Sequence, residues 1–93
     1  MVDNVDRAEW AEAALELFAN MVMPGEISEE TAQDLICDIG HFCRIQLSLS
    51  RREILALYAA AIGCWSAEDR APDAEPFAND TVEIDVRQVV QFG

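Results

Sequence analysis

Three stretches of the chain carry apolar residues at helical spacing, and a fourth alternates. From Asp6 to about Val22, the residues Trp10, Ala14, Leu17, Phe18 and Met21 form one stripe, with Glu9, Glu12 and Glu16 on the other side. That pattern predicts an amphipathic helix with an acidic outer face. Asp3, Asn4 and Asp6 offer capping oxygens at its start, and Pro24-Gly25 ends it after Met23. Ser28 reads as the N-cap of a second helix, with Glu29 and Glu30 in the first turn. Its stripe of Ala32, Leu35, Ile36, Ile39, Phe42 and Cys43 runs to about Gln46. Gly40 lies inside this helix at a cost of about 0.5–1 kcal/mol relative to alanine, which predicts a close crossing by another helix.

Ser50-Arg51-Arg52-Glu53 matches a capping box directly before an apolar run, so a third helix is predicted to start at Arg51. Ile54, Leu55, Leu57, Tyr58, Ala61, Ile62 and Trp65 cover more than half of its circumference, and Ala59, Ala60, Ala61 and Gly63 suit close approach of neighbours. The expectation is that this helix forms the centre of the core. From Ser66 to Asp80 the chain is acidic and carries Pro72 and Pro76, the composition of an extended linker. Val82, Ile84 and Val86 then alternate with Glu83, Asp85 and Arg87, the period of a half-buried strand. Such a strand has no partner within a helical chain, so pairing with a second copy or with another protein's sheet edge, irregular packing and a mobile tail are all open to it.

The predicted fold class is therefore all-α, a compact three-helix core with a short C-terminal extended or β segment. The organisation expected is a three-helix unit over residues 1–66, a linker over 67–80 and a tail over 81–93. A chain of 93 residues holds one domain and leaves no room for a separate cofactor domain. The 52% apolar share is that of a globule. The longest nearly apolar run, Ile54 to Trp65, is short of the roughly 20 residues that span a bilayer. With acid at the N-terminus and no apolar segment after it, the expectation is a cytoplasmic protein. Cys37, Cys43 and Cys64 are then expected as reduced thiols rather than a disulfide framework.

Charge changes this picture most. There are 18 acidic residues against six bases, all arginine, for a net charge of -12. Residues 1–38 hold ten of the acids and a single base, whereas Arg44, Arg51 and Arg52 gather at the turn between the second and third helices. A surface this negative repels phosphate backbones and anionic lipid, so direct nucleic-acid or membrane binding is not expected. The same carboxylates are either a solvated face or an array that attracts a basic protein surface, including one that normally holds nucleic-acid phosphates. On the second reading the contacts are Glu9, Glu12 and Glu16 of the first helix and Glu30, Asp34 and Asp38 of the second.

No residue set predicts catalysis. Glu30, Asp34, Asp38 and His41 share one helix face with Cys37 beside His41, but a metal centre normally draws ligands from a second helix, and no second Glu-x-x-His is present. Cys37 and Cys43 point about 120° apart on a helix, so a zinc site from Cys37, His41, Cys43 and Cys64 is not expected. Cys37 with His41 lacks oxyanion donors for nucleophilic chemistry, and the four glycines never cluster into a phosphate loop. A helix-turn-helix reading fails because the positions after Glu53 are apolar. No enzyme activity, resident metal or cofactor is expected.

At Asp34-Leu-Ile-Cys-Asp38-Ile-Gly-His41, followed by the Ser50-to-Glu53 cap and Trp65, the sequence resembles small helical proteins encoded by phages and prophages, over about residues 28–66. In size and acidity the chain is also similar in type to anti-CRISPR proteins, some of which present carboxylates in place of DNA. That likeness implies a non-enzymatic inhibitor of a nucleic-acid-handling host complex and transfers no site residue. The rival expectation is a homodimer built on apolar helix faces or the C-terminal strand.

Overall fold

A computed structural model describes residues 2–22, 24–71 and 80–83 of the chain. It is all-α: α1 spans Asn4–Val22, α2 Glu29–Ile45 and α3 Arg51–Arg70, and there is no strand among the described residues. Thr81, Val82 and Glu83 are not in a ladder, and the remainder of the expected strand lies outside the described residues.

Local chemistry sets each helix start. Asp3 and Asp6 cap α1 reciprocally, Asp6 N–H donating to Asp3 Oδ1 at 2.9 Å and Asp3 N–H to Asp6 Oδ2 at 3.2 Å. Ser28 caps α2 as expected, and its capping-box partner is Thr31, a nearly fully buried residue whose hydroxyl takes the Ser28 N–H at 3.2 Å. Ser50 and Glu53 form the box expected at α3, with bonds of 3.1 and 3.0 Å. Those bonds to Ser50 hold the Glu53 carboxyl below its usual pKa. Between α2 and α3 the chain reverses at Ser48, whose φ of 56° is left-handed, and Leu49 N–H returns to the Cys43 carbonyl.

α3 continues through Ala67, Glu68, Asp69 and Arg70, where a linker was expected from residue 67. It stops two residues before Pro72, because the residue ahead of a proline is pushed out of the helical region. Glu68 is held there by α1: Arg7 Nε pairs with its carboxylate at 3.2 Å, and Asn4 Nδ2 donates to its backbone carbonyl at 3.0 Å. That carbonyl is one of the last four of α3, which have no acceptor role inside the helix, so Asn4 satisfies a group the helix itself leaves open.

The centre of the fold is α2, which packs against both α1 and α3, and not α3 as the sequence implied. Leu57, Ile62 and Trp65 of α3 are exposed, Trp65 to 64%. The first turn of α1 meets the last turn of α3, whereas a simple up-down-up bundle would place those ends on opposite sides. The helices therefore cross, in a body only 22 Å deep along its shortest axis, about two helix diameters. Among the described residues the buried apolar set is Phe18, Ala19, Cys43 and Ala67.

Candidate functional site

The α1 helix divides into three faces. Leu15, Phe18 and Ala19, with Asn4 and Arg7, face inward. The stripe expected to pack, Trp10, Ala14, Leu17 and Met21 with Phe18, buries only Phe18; Trp10, Leu17 and Met21 are 61%, 70% and 77% exposed. At 100° per residue this stripe stands roughly 100° away from the buried face. Glu9, Glu12 and Glu16 occupy the third face, and all are exposed as expected. Periodicity alone detects an apolar stripe but not which flank of it the partner helix covers.

Glu12 and Glu16 are brought together with Glu26 in the lining of an open groove of about 860 Å³ between α1 and the α1–α2 connection. Ala8, Ala11, Leu15, Ala19 and Ile27 supply its apolar lining. Gly25, at a φ of 150° that other residues rarely adopt, stands in the connection that brings Glu26 and Ile27 into this lining. Glu9 is not part of this lining. Glu26 was missed by sequence reading because it lies in a connection, where no periodicity marks it.

Glu30 and Asp38 are exposed on α2, and Asp34 is half-buried. None of Glu9, Glu12, Glu16, Glu30, Asp34 and Asp38 enters an ion pair among the described residues; the ion pairs there are Arg7–Glu68 and Arg70–Asp80. On the same α2 surface, Cys37, Asp38 and His41 place one donor atom each within 4.8 Å of the others.

A second groove, of about 530 Å³, separates α2 from α3 and is lined by Cys37, Gly40, His41, Arg44, Arg51 and Tyr58 among others. Burial, reinforced by the nearby Cys43 and Cys37 thiols, raises the Tyr58 phenol above its usual pKa. Beyond α3, Asp80 returns to the helix: its N–H donates to the Gly63 carbonyl, and its carboxylate takes Ser66 Oγ at 2.7 Å and Arg70 at 2.6 Å. The Arg70 bond first, then that of Ser66, holds the Asp80 carboxyl below its usual range.

What fold and surface define is a class: a small three-helix protein whose α1 and α2 carboxylates form no ion pair among the described residues, with a groove lined by both acidic and apolar side chains. Comparison with protein-family models, curated proteins and solved structures finds no match. No helix among the described residues is long and apolar enough to cross a membrane.

Proposed function

We propose that this protein is a non-enzymatic binding module that engages a basic protein surface through the carboxylates of α1 and α2. The observation that carries the reading is the groove lined by Glu12, Glu16 and Glu26 together with alanine, leucine and isoleucine side chains. An amphipathic basic segment fits that arrangement. Its apolar side chains would cover the apolar lining while arginine or lysine heads reach the carboxylates, where charge-assisted bonds are stronger than neutral ones. Glu9, Glu30, Asp34 and Asp38 extend the negative field and speed capture of such a partner. The size, the net charge of -12 and the phage-type resemblance of the sequence extend this reading to an inhibitor of a nucleic-acid-handling host complex that takes the place of DNA.

The test replaces Glu9, Glu12 and Glu16 by lysine together and measures association with basic amphipathic peptides and retention of host proteins across a salt gradient. Loss of binding with unchanged helicity is expected, and wild-type binding should weaken with salt, since exposed charges are screened within about 10 Å at 0.1 M. Undiminished binding by the triple variant would overturn the reading.

A second reading rests on a different observation. Trp10, Leu17 and Met21 on α1 and Phe42 and Ile45 on α2 are exposed, with Ile45 71% accessible. Apolar side chains left open in this way are what a homodimer interface uses. Light scattering on the wild-type chain and on a Leu17→Glu, Met21→Glu variant separates the two readings: a dimer that becomes monomeric supports the homodimer, and a monomer at all concentrations eliminates it.

A further inference from the structure

We propose that Cys37, Asp38 and His41 form a three-ligand surface site for a borderline divalent cation of the zinc type. The three donor atoms, a thiol sulfur, a carboxylate oxygen and an imidazole nitrogen, all lie within 4.8 Å of one another. Cys37 Sγ and His41 Nε2 are 3.9 Å apart. Zinc bonds of about 2.3 Å to sulfur and 2.0–2.1 Å to nitrogen, at a tetrahedral angle, place those two atoms about 3.6 Å apart. The pair is therefore within a few tenths of an ångström of bridging one ion without movement of the backbone.

The α2 helix itself creates this geometry. Residues four apart project from the same side one turn above the other, the relationship used by paired helical ligands in zinc sites. Asp38, one residue after Cys37 and three before His41, stands at the edge of that face and closes the third corner. Its carboxylate enters no ion pair among the described residues, so a cation does not have to displace an arginine from it. Asp34 and Glu30, about one and two turns towards the N-terminus, add to the local negative potential.

The mixed donor set chooses the ion. Calcium and magnesium take oxygen ligands and hold no thiolate, whereas zinc and its neighbours accept sulfur, nitrogen and oxygen together. Three protein ligands leave the fourth tetrahedral position to water or to a donor from outside the chain, the coordination of an open rather than a closed structural site. All three residues are exposed, so an ion reaches them without opening the fold. The groove lined by Glu12, Glu16 and Glu26 shares no residue with this site, whereas Asp38 belongs both to it and to the carboxylates of the proposed protein binding.

Cobalt(II), a spectroscopic stand-in for zinc, is titrated into the reduced full-length protein, and the thiolate-to-cobalt charge-transfer absorption is followed. A saturable band that zinc removes, with one cobalt per chain, is expected. Cys37→Ser should abolish the band, and Asp38→Asn and His41→Ala should each weaken binding at least tenfold, a loss no smaller than that for outer-shell partners. Cys64→Ser should change nothing. Circular dichroism of each variant confirms intact helices, as expected for exposed side chains. No band at millimolar cobalt, or a band that survives Cys37→Ser, would overturn the proposal.

Discussion

The hydroxyl of Tyr58 on α3 donates to the backbone carbonyl of Ile36 on α2, directly over Gly40. A Cβ on residue 40 would lie 2.5 Å from that hydroxyl oxygen but 3.5 Å from the ring carbon that bears it. Glycine at this position is thus required by one oxygen atom, not by a neighbouring backbone.

Two opposing terms act on Gly40→Ala. Alanine gains about 0.8–1.0 kcal/mol of helix propensity, whereas displacing the phenol loses a hydrogen bond worth about 0.5–1.5 kcal/mol. Gly40→Ala is expected to change stability by less than about 0.7 kcal/mol alone, because the two terms nearly cancel, and to stabilise by about 0.8–1.0 kcal/mol in a Tyr58→Phe background. Urea unfolding of the four proteins measures the coupling; equal effects in both backgrounds would show that the hydroxyl does not restrict residue 40.

Tyr58 also gives the fold an alkaline limit. Burial lifts its folded pKa above 10.0, so the folded state holds the phenolic proton longer than the unfolded chain does. The stabilisation is complete below pH 10.0 and is lost as pH rises through the folded value. Tyr58 is the one tyrosine in the chain, so tyrosinate absorbance reports it alone. The titration midpoint is expected above 10.0 in buffer and at the ordinary value in urea; identical midpoints would contradict the burial of the ring.

Asp80 behaves in the opposite sense. Its folded pKa lies below the ordinary 3.8, because Arg70 and then Ser66 favour the carboxylate. Its contribution is present above pH 3.8 and disappears as pH falls through the folded value. Wild type should melt at a higher temperature than Asp80→Asn at neutral pH, and the two curves should converge in acid. Parallel curves down to pH 2 would show that the Asp80 bonds do not hold the chain to α3.

Asn4 makes two hydrogen bonds where α1 meets α3, accepting from Arg7 of its own helix at 2.7 Å while donating to the Glu68 carbonyl. Asn4→Ala is expected to cost about 0.5–1.5 kcal/mol. Arg7→Ala should cost less, since a surface ion pair contributes about 0–1 kcal/mol. Because the two share a partner, the double variant should lose less than the sum of the singles. Strict additivity in thermal unfolding would argue against a joint cluster.

The starts of α2 and α3 were legible because capping is a property of a few neighbouring residues: Ser28 as an N-cap, though not its box with Thr31, and Ser50 with Glu53 as a capping box. The unusual glycine in α2 was legible as a close approach, though not as the approach of a tyrosine hydroxyl. The orientation of α1 was not legible: an apolar stripe through Trp10, Leu17 and Met21 is equally a core face or a surface face until the crossing helix is known. The extra turn of α3 depended on Asn4 and Arg7, sixty residues distant in sequence, which local propensity does not register. The acidic face of α1 was foreseen, but its partnership with Glu26 and an apolar lining arises only when the connection folds back.

Ala71 follows the last turn of α3, and Asp80 is bonded back to the same helix at Gly63, Ser66 and Arg70, so these two residues are both held to one element. Closing a longer loop costs only about 0.6 kcal/mol for each doubling of its length. A peptide tag or fluorescent reporter spliced between Pro72 and Asn79 should therefore be carried with small loss, giving an attachment point remote in sequence from both the carboxylates of α1 and the thiol face of α2.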